Sequence, residues 1–253
     1  MIFLYKDKNV IINVKFLGGL FMKIAVFSDV HGNIYSLMTA FEDIDMEKVD
    51  MTICLGDLVG YGPHPNEVIA LIRRREIPCI KGNYDTSVVD GDFTYIRDNL
   101  VNSFILPWTC KELRESNKYF LDSLPEYLTY DFNGVKFRFT HGSPNSISEY
   151  LYADGDNTKK VMENLEEDVL VCAHTHIPTL KKFNDKTLIN VGSVGKPKIG
   201  RPNLTYCIIN IDENKNIDVK FKELEYEFHK IVKDTKMLNF PSQLVNSYET
   251  GNE

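Results

Sequence analysis

KIAVFSDVHGN, residues 23–33, decides the fold: the apolar run Lys23 to Ser28 stops at a polar Asp-x-His turn that carries Asp29 and His31. A short apolar run ending in a polar turn predicts a strand. The pattern recurs along the chain. MTICL at 51–55 stops at Gly56-Asp57, Cys79 to Lys81 precedes Gly82-Asn83, VKFRFT at 135–140 precedes His141, and VLVC at 169–172 leads through Ala173 to His174 and His176. Five predicted strand ends therefore deliver Asp29, His31, Asp57, Asn83, His141, His174 and His176 to one edge. In open α/β sheets that edge, at the carboxyl ends of the strands, is where loops bring distant residues together over a ligand.

Each motif has an unremarkable reading by itself. Asp-x-His after a strand is an ordinary turn, Gly-Asp and Gly-Asn are turn dipeptides, and a histidine can sit satisfied in a core. Together they do not behave like turns, because four of the six histidines fall in motif positions after apolar runs. His64 and His229 lie outside the pattern and read as surface residues. Two carboxylates, an amide and four imidazoles, with no cysteine, form a donor set that two adjacent divalent ions can share, one acid bridging them.

At this level of detail the chain resembles the calcineurin-like metallophosphoesterase superfamily, whose ordered signature is DxH, GD, GNH[DE], H and GHxH. The likeness extends over residues 22 to about 225. It is closest to the small bacterial and archaeal phosphodiesterase-like branch, through LGDLVGYGPHPNEV at 55–68, HGSP at 141–144 and NVGSVGKP at 190–197. The resemblance implies an α/β fold, an αββα sandwich of two mixed β-sheets flanked by helices, with a dinuclear metal site at the strand C-terminal ends. It further implies that Asp29, His31 and His176 hold the first ion, that Asn83, His141 and His174 hold the second, and that Asp57 bridges them.

The activity so implied is in-line hydrolysis of a phosphodiester or dinucleoside polyphosphate by metal-activated water, with a phosphomonoesterase or a non-catalytic scaffold as alternatives. Mixed nitrogen and oxygen donors suit manganese or iron, with zinc, nickel or cobalt also compatible; magnesium alone fits so many imidazoles poorly. The expected partner is a small phosphorylated or nucleotide substrate.

Two positions depart from the family pattern. Tyr84 stands where the family usually has a histidine that contacts the scissile phosphate. A phenol can donate a hydrogen bond there, with Asp85 as its orienting partner, but cannot offer imidazolium charge near neutrality. Tyr84, Asp85 and His141 are accordingly the candidate catalytic residues. Ala173 replaces a glycine without removing a ligand.

At 253 residues with 43% hydrophobic content, the chain can bury one large core. Five dispersed cysteines, mostly inside apolar runs, read as reduced packing residues and point to the cytoplasm. A net charge of -7 argues against a broad nucleic-acid-binding surface. Residues 1–21 read as a non-native or disordered leader preceding a domain that begins at Met22: Lys6, Asp7, Lys8 and Lys15 break its apolar stretch, which argues against a signal peptide and, with its length, excludes a membrane span. The competing reading is an edge strand over Asn9 to Phe16.

Apolar spacing predicts helices over Ile34 to Asp45 and Asn66 to Arg75, giving βαβ units in the first half. Phe93 to Leu124 reads as two helices parted near Pro107, long enough to overhang the site. Tyr127 to Asp131 and Val135 to Thr140 flank the hairpin turn Asn133-Gly134. With strands at Thr187 to Val191, Leu204 to Ile211 and Ile217 to Glu223, they are expected to make the second sheet as a meander. The glycine-rich loop 192–202 offers Lys196, Lys198 and Arg201 to phosphate oxygens if it borders the site. Tyr226 to Glu253 reads as a partly helical tail without chemistry.

Overall fold

Residues 10–12 and 21–252 are described by the computed structural model. The layering follows from β2 (Phe21–Phe27), whose side chains alternate between two cores. Ile24 and Val26 enter one core, Ala25 and Phe27 another, and all four are fully buried. A strand covered on both faces needs consecutive apolar residues, which is why KIAVF is uninterrupted.

The inner core lies between two sheets. One holds four strands in the order β10 (Ile217–Leu224), β9 (Leu204–Asp212), β2, β3 (Met51–Cys54). The other has six, in the order β1 (Val10–Ile12), β4 (Tyr127–Phe132), β5 (Val135–Thr140), β6 (Val169–Cys172), β8 (Lys186–Asn190), β7 (Thr179–Phe183). Ile24, Val26, Ile53 and Ile209 of the first sheet meet Tyr130, Phe137, Phe139 and Val171 of the second. The outer face of the four-stranded sheet is covered by α1 (Ile34–Glu47), α2 (Pro65–Arg74), α4 (Leu100–Glu112) and the C-terminal pair α7 (Phe228–Met237) and α8 (Ser242–Thr250). On the outer face of the six-stranded sheet, Val161 and Met162 of α6 (Asp156–Asn164) pack on Leu170, Cys172 and Leu188. The molecule is the expected αββα sandwich.

Several local expectations are corrected. The strands at 204–212 and 217–224 leave the second sheet and return to β2: β9 runs antiparallel to β2, with Ile209 opposite Ile24. β7 joins the second sheet without having been anticipated, and β5, β6 and β8 are mutually parallel there, so the later half is mixed rather than a meander. The strand end expected at Cys79 to Lys81 is a single bridge, Cys54 to Cys79. Pro78 lacks an N–H, and Gly82 already leads into α3 (Asn83–Asp90), so no longer ladder develops.

Pro107 lies inside α4 rather than between two helices. The break before α5 (Glu115–Asp122) comes at Leu113-Arg114, where Asn66 of α2 caps both sides. Its Nδ2 donates to Glu112 O at 3.0 Å, and its Oδ1 accepts from Arg114 N at 3.0 Å and Asn117 Nδ2 at 2.9 Å. His64 is not a plain surface residue: its Nε2 lies 3.2 Å from Asp234 Oδ2 with the side chain 21% exposed.

Of the expected leader, Val10–Ile12 forms β1, parallel to β4 with Val10 opposite Leu128, and Phe21 opens β2. The remainder of 1–20 lies outside the described residues, as does most of the alternative edge strand over 9–16.

Candidate metal centre

Past the ends of β2 and β3 the two loops stay zipped together, extending the parallel pairing. Asp29 N donates to Gly56 O at 3.1 Å, His31 N to Asp57 O at 2.9 Å, and Gly32 N to Leu58 O at 2.8 Å. The Gly-Asn loop joins through Asp85, the third residue of α3. Asp85 Oδ2 accepts from Gly82 N at 3.0 Å, and its Oδ1 accepts from Leu58 N and Val59 N at 2.9 and 3.3 Å. Gly82 is needed for clearance: a Cβ there would lie 2.1 Å from Asp57 Oδ1. Asp29, His31, Asp57, His174 and His176 all have positive φ, between 46° and 66°. For residues other than glycine this conformation costs energy and persists where surrounding bonds enforce it, as at ligand clamps.

The enforced turns converge the side chains. Asp29, His31 and His176 offer ligand atoms within 4.8 Å of one another, and so do Asp57, His141 and His174, all six buried. Asn83 sits beside the second group, its Oδ1 2.9 Å from His141 Nε2. All seven residues expected as ligands are thus brought together.

Backbone carbonyls set the imidazole tautomers. His31 Nδ1 donates to Val59 O at 2.9 Å, His141 Nδ1 to Leu55 O at 2.8 Å, and His176 Nδ1 to Lys196 O. The Nε2 atoms are then the nitrogens turned into the centre. His174 is reversed, its Nε2 donating to Ser148 O at 3.2 Å and its Nδ1 remaining open. Such partners orient a metal-ligating histidine and raise its basicity.

The acids are equally telling. Asp29 Oδ1 and Asp57 Oδ2 are buried without a hydrogen-bond partner, and Asp29 Oδ1 lies 3.2 Å from His176 Nε2 while Asp57 Oδ2 lies 3.3 Å from His141 Nε2. His31 Nε2 and His176 Nε2 face each other at 3.3 Å. Lone pairs and anionic oxygens crowded in the interior call for cations, so the donor set fits divalent metal ions.

Electrostatics agree. Burial opposes ionisation of Asp29, yet His176, then His31 and His141, hold its carboxyl well below the ordinary range. Burial works against the His141 imidazolium, but Asp57 and Asp29 raise it to about 10, whereas burial, reinforced by His141, lowers His174 to about 3. Burial likewise lowers His176 to about 4. Two ionised acids therefore recruit a proton onto one imidazole, a place that a metal ion would take.

The three candidate catalytic residues separate. His141 is in the second triad. Asp85 does not orient Tyr84 through its hydroxyl; its oxygens accept from backbone N–H groups, and it holds the Gly-Asp and Gly-Asn loops together. Tyr84 is buried, its ring edge-on to His31 at 5.0 Å and its N donating to Asp57 Oδ1 at 2.8 Å. Its hydroxyl hydrogen-bonds to Tyr61 and to Asn102 Oδ1, the latter at 2.8 Å. Since Asn102 Oδ1 can only accept, the Tyr84 proton goes there and Tyr61 is the donor to Tyr84. Tyr61 and Asn102 were missed by sequence reasoning, although Tyr61 lies within the string LGDLVGYGPHPNEV.

A cavity of about 180 Å³ opens on the centre, lined among others by Asp57, Asn83, Tyr84, His174, His176 and Lys198. Lys196 is buried with its Nζ 4.8 Å from the Tyr61 ring centroid. Arg201 is bound to Glu223 at the surface, so only part of the basic loop borders the site.

An αββα sandwich with two histidine–carboxylate clusters at converging strand ends is the architecture of metallophosphoesterases. The calcineurin-like phosphoesterase superfamily domain matches residues 22–214, and the chain belongs to that superfamily, a class of phosphoric ester hydrolases. It is 33% identical over 234 residues to an uncharacterized protein of Methanocaldococcus jannaschii, covering 83% of this chain and 92% of that one. It is 25% identical over 193 residues to phosphodiesterase YfcE of Escherichia coli, covering 72% of this chain and 84% of that protein. The crystal structure of a metallophosphoesterase from Sphaerobacter thermophilus superposes with a TM-score of 0.75 at 26% identity, covering 91% and 99% of the two chains.

Proposed function

We propose that the chain is a dinuclear metal-dependent phosphodiesterase acting on a small phosphorylated or nucleotide substrate. The observation that carries this reading is the pair of buried triads, in which Asp29 Oδ1 and Asp57 Oδ2 lack hydrogen-bond partners while backbone carbonyls orient the histidines. Asp29, His31 and His176 would hold one ion, Asn83, His141 and His174 the other, with Asp57 shared. Manganese or iron is the proposed occupant, since imidazole, amide and carboxylate together suit either. When bound, the ions supply Lewis-acid charge and a water acidic enough to attack phosphorus in line.

The chain's own residues do the rest. Val59, Leu55 and Lys196 carbonyls hold a proton on Nδ1 of His31, His141 and His176 and so turn each Nε2 towards the place an ion would take, and Ser148 does the same for Nδ1 of His174. Asp85 fixes the spacing of Asp57 and Asn83 by tying their loops. Lys198, on the cavity wall with His176, contributes positive charge where a phosphate would enter. Tyr84 positions His31 and Asp57 through its ring and its N–H.

The diester preference rests on the likeness to a protein named a phosphodiesterase. Five free cysteines suit the proposed cytoplasmic location, and no helix among the described residues is long and apolar enough to cross a membrane. The test is chelation followed by add-back of manganese, iron, zinc, nickel or cobalt, with turnover measured on bis(p-nitrophenyl) phosphate, p-nitrophenyl phosphate and diadenosine tetraphosphate. Metal-dependent turnover favouring a diester or the dinucleotide is expected. Faster hydrolysis of the monoester would make the chain a phosphomonoesterase, and no turnover with any metal would refute the hydrolase reading.

A further inference from the structure

We infer that Tyr150 and Tyr152 form a stacking ledge for a nucleobase, so that the phosphoester held by the metal centre carries a nucleoside. The inference deepens the phosphoesterase reading and rests on it. Tyr150 lies flat against the imidazole of the candidate ligand His174, with ring centroids 4.0 Å apart and planes 25° apart. Tyr152 continues the same orientation, its plane 9° from that of Tyr150 at 5.9 Å between centroids. Both rings reach solvent, 41% and 52% exposed, and both line the cavity that opens on Asp57, Asn83 and His176. Exposed tyrosines are common singly. Two parallel rings continuing from a metal ligand into its cavity are a different arrangement, because they offer a flat apolar face a short reach from bound phosphate.

The ledge is held in place before any ligand arrives. Ser148 O accepts from His174 Nε2 at 3.2 Å, Tyr150 O accepts from Asn157 Nδ2 at 2.9 Å, and Tyr152 O accepts from Gly155 N at 3.0 Å. These are backbone anchors, so the rings can be changed without releasing the loop. A preformed platform binds at lower entropic cost than one assembled on contact. Arg97, Asn99 and Lys198 line the same cavity with charged and polar groups, which suits a ring bearing hydrogen-bonding edges and a phosphate rather than a plain alkyl ester. Stacking on aromatic side chains tolerates any base, because every base has a π-face. The structure thus assigns a preference for nucleosides as a class without choosing among bases.

The experiment is calorimetric titration of the manganese-loaded protein with adenosine monophosphate and with ribose phosphate, which differ only in the base. The nucleotide is expected to bind about tenfold more tightly, within the range that one base–aromatic stack supplies. Tyr152→Ala should bring the two affinities together, and Tyr152→Phe, which keeps the ring, should restore the ratio. Tyr152 is the position to change because it stacks on Tyr150 rather than on the ligand His174, so metal binding is not altered directly. Equal affinities in the unaltered protein, or a ratio that survives Tyr152→Ala, would overturn the ledge while leaving the phosphoesterase reading intact. Failure of both phosphates to bind, with no ester hydrolysed, would defeat that reading and this inference with it.

Discussion

The two ends of α1 hold acids in opposite ways. At the C-terminal end, Glu47 receives Lys23 Nζ at 2.6 Å and Lys222 Nζ at 2.7 Å, and Asp43 also meets Lys222 at 2.9 Å. At the N-terminal end, in the DVHGN loop and the Gly-Asp loop paired with it, Asp29 and Asp57 are buried and each leaves an oxygen without a hydrogen-bond partner. Lysines reach the first pair across the start of β2 and the end of β10; imidazoles of His31, His141 and His176 face the open oxygens of the second. The acids at the first end are matched by lysines of the chain itself, whereas those at the second stand in two candidate metal-ligand groups. Holding the latter costs stability that packing elsewhere must offset.

The comparison breaks most severely at Asp57. Asp57→Ala should lower turnover by at least about three orders of magnitude, since metal-centred charge stabilisation is worth several kcal/mol. Elemental analysis should show metal lost from both positions, against mainly one for His31→Ala. Two tightly held ions and near-normal turnover in Asp57→Ala would remove it as the shared ligand.

Metal removal should come next in size. If the N-terminal end awaits cations, chelation leaves its acids uncompensated, and saturating manganese should raise Tm by several degrees, as a ligand at about 100 times its Kd stabilises by about 2.7 kcal/mol. A Tm indifferent to chelator and metal would place the charge compensation within the chain.

Tyr84→Phe probes the packing around the acids. It strands the buried Asn102 Oδ1, so a loss of about 1–3 kcal/mol in unfolding free energy is expected. Because the proton is committed to Asn102, any fall in kcat/KM should be similar for diesters with good and poor leaving groups. A fall confined to poor leaving groups would make Tyr84 a direct donor to substrate.

At the paired end the effect is smaller. Hydrogen bonds from Lys222 and then Lys23 lower Glu47 from its ordinary 4.5 to about 2. A depressed carboxyl contributes stability that is fully present above the unfolded value and lost as pH falls through the folded one, here between about 4.5 and about 2. Solvent screening holds the contribution to roughly 1 kcal/mol or less. Glu47→Gln should lower the denaturation midpoint slightly at neutral pH and flatten its fall over that window, so that variant and parent converge towards pH 2. A steeper acid limb in the variant would contradict the pairing.

The smallest effect is expected from starting the chain at Met22, which keeps both ends of α1 and every candidate ligand. Specific activity should be retained and Tm should move by no more than a few degrees. A large fall would show that the pairing of β1 with β4 carries real stability.

The clustering of the candidate ligands was legible because metal chemistry restricts residue type and strand ends restrict position: apolar runs stopping at Asp, Asn or His can be read one segment at a time. The αββα layering was legible through family likeness. The sheet that receives 204–212 and 217–224 was not, because an apolar strand pairs with whichever edge the tertiary fold presents, and β9 found β2. Nor was the helix break at Leu113-Arg114, where Asn66, distant in sequence, decides against Pro107.

By itself the sequence determined which side chains could bind metal and that rigid strands would carry them. Only the tertiary structure decided which imidazole nitrogen stays open, that the Tyr84 proton belongs to Asn102, and that two tyrosines stand beside His174. Each of these depends on a hydrogen bond or ring contact between segments that folding brings together, and such contacts leave no periodicity to read.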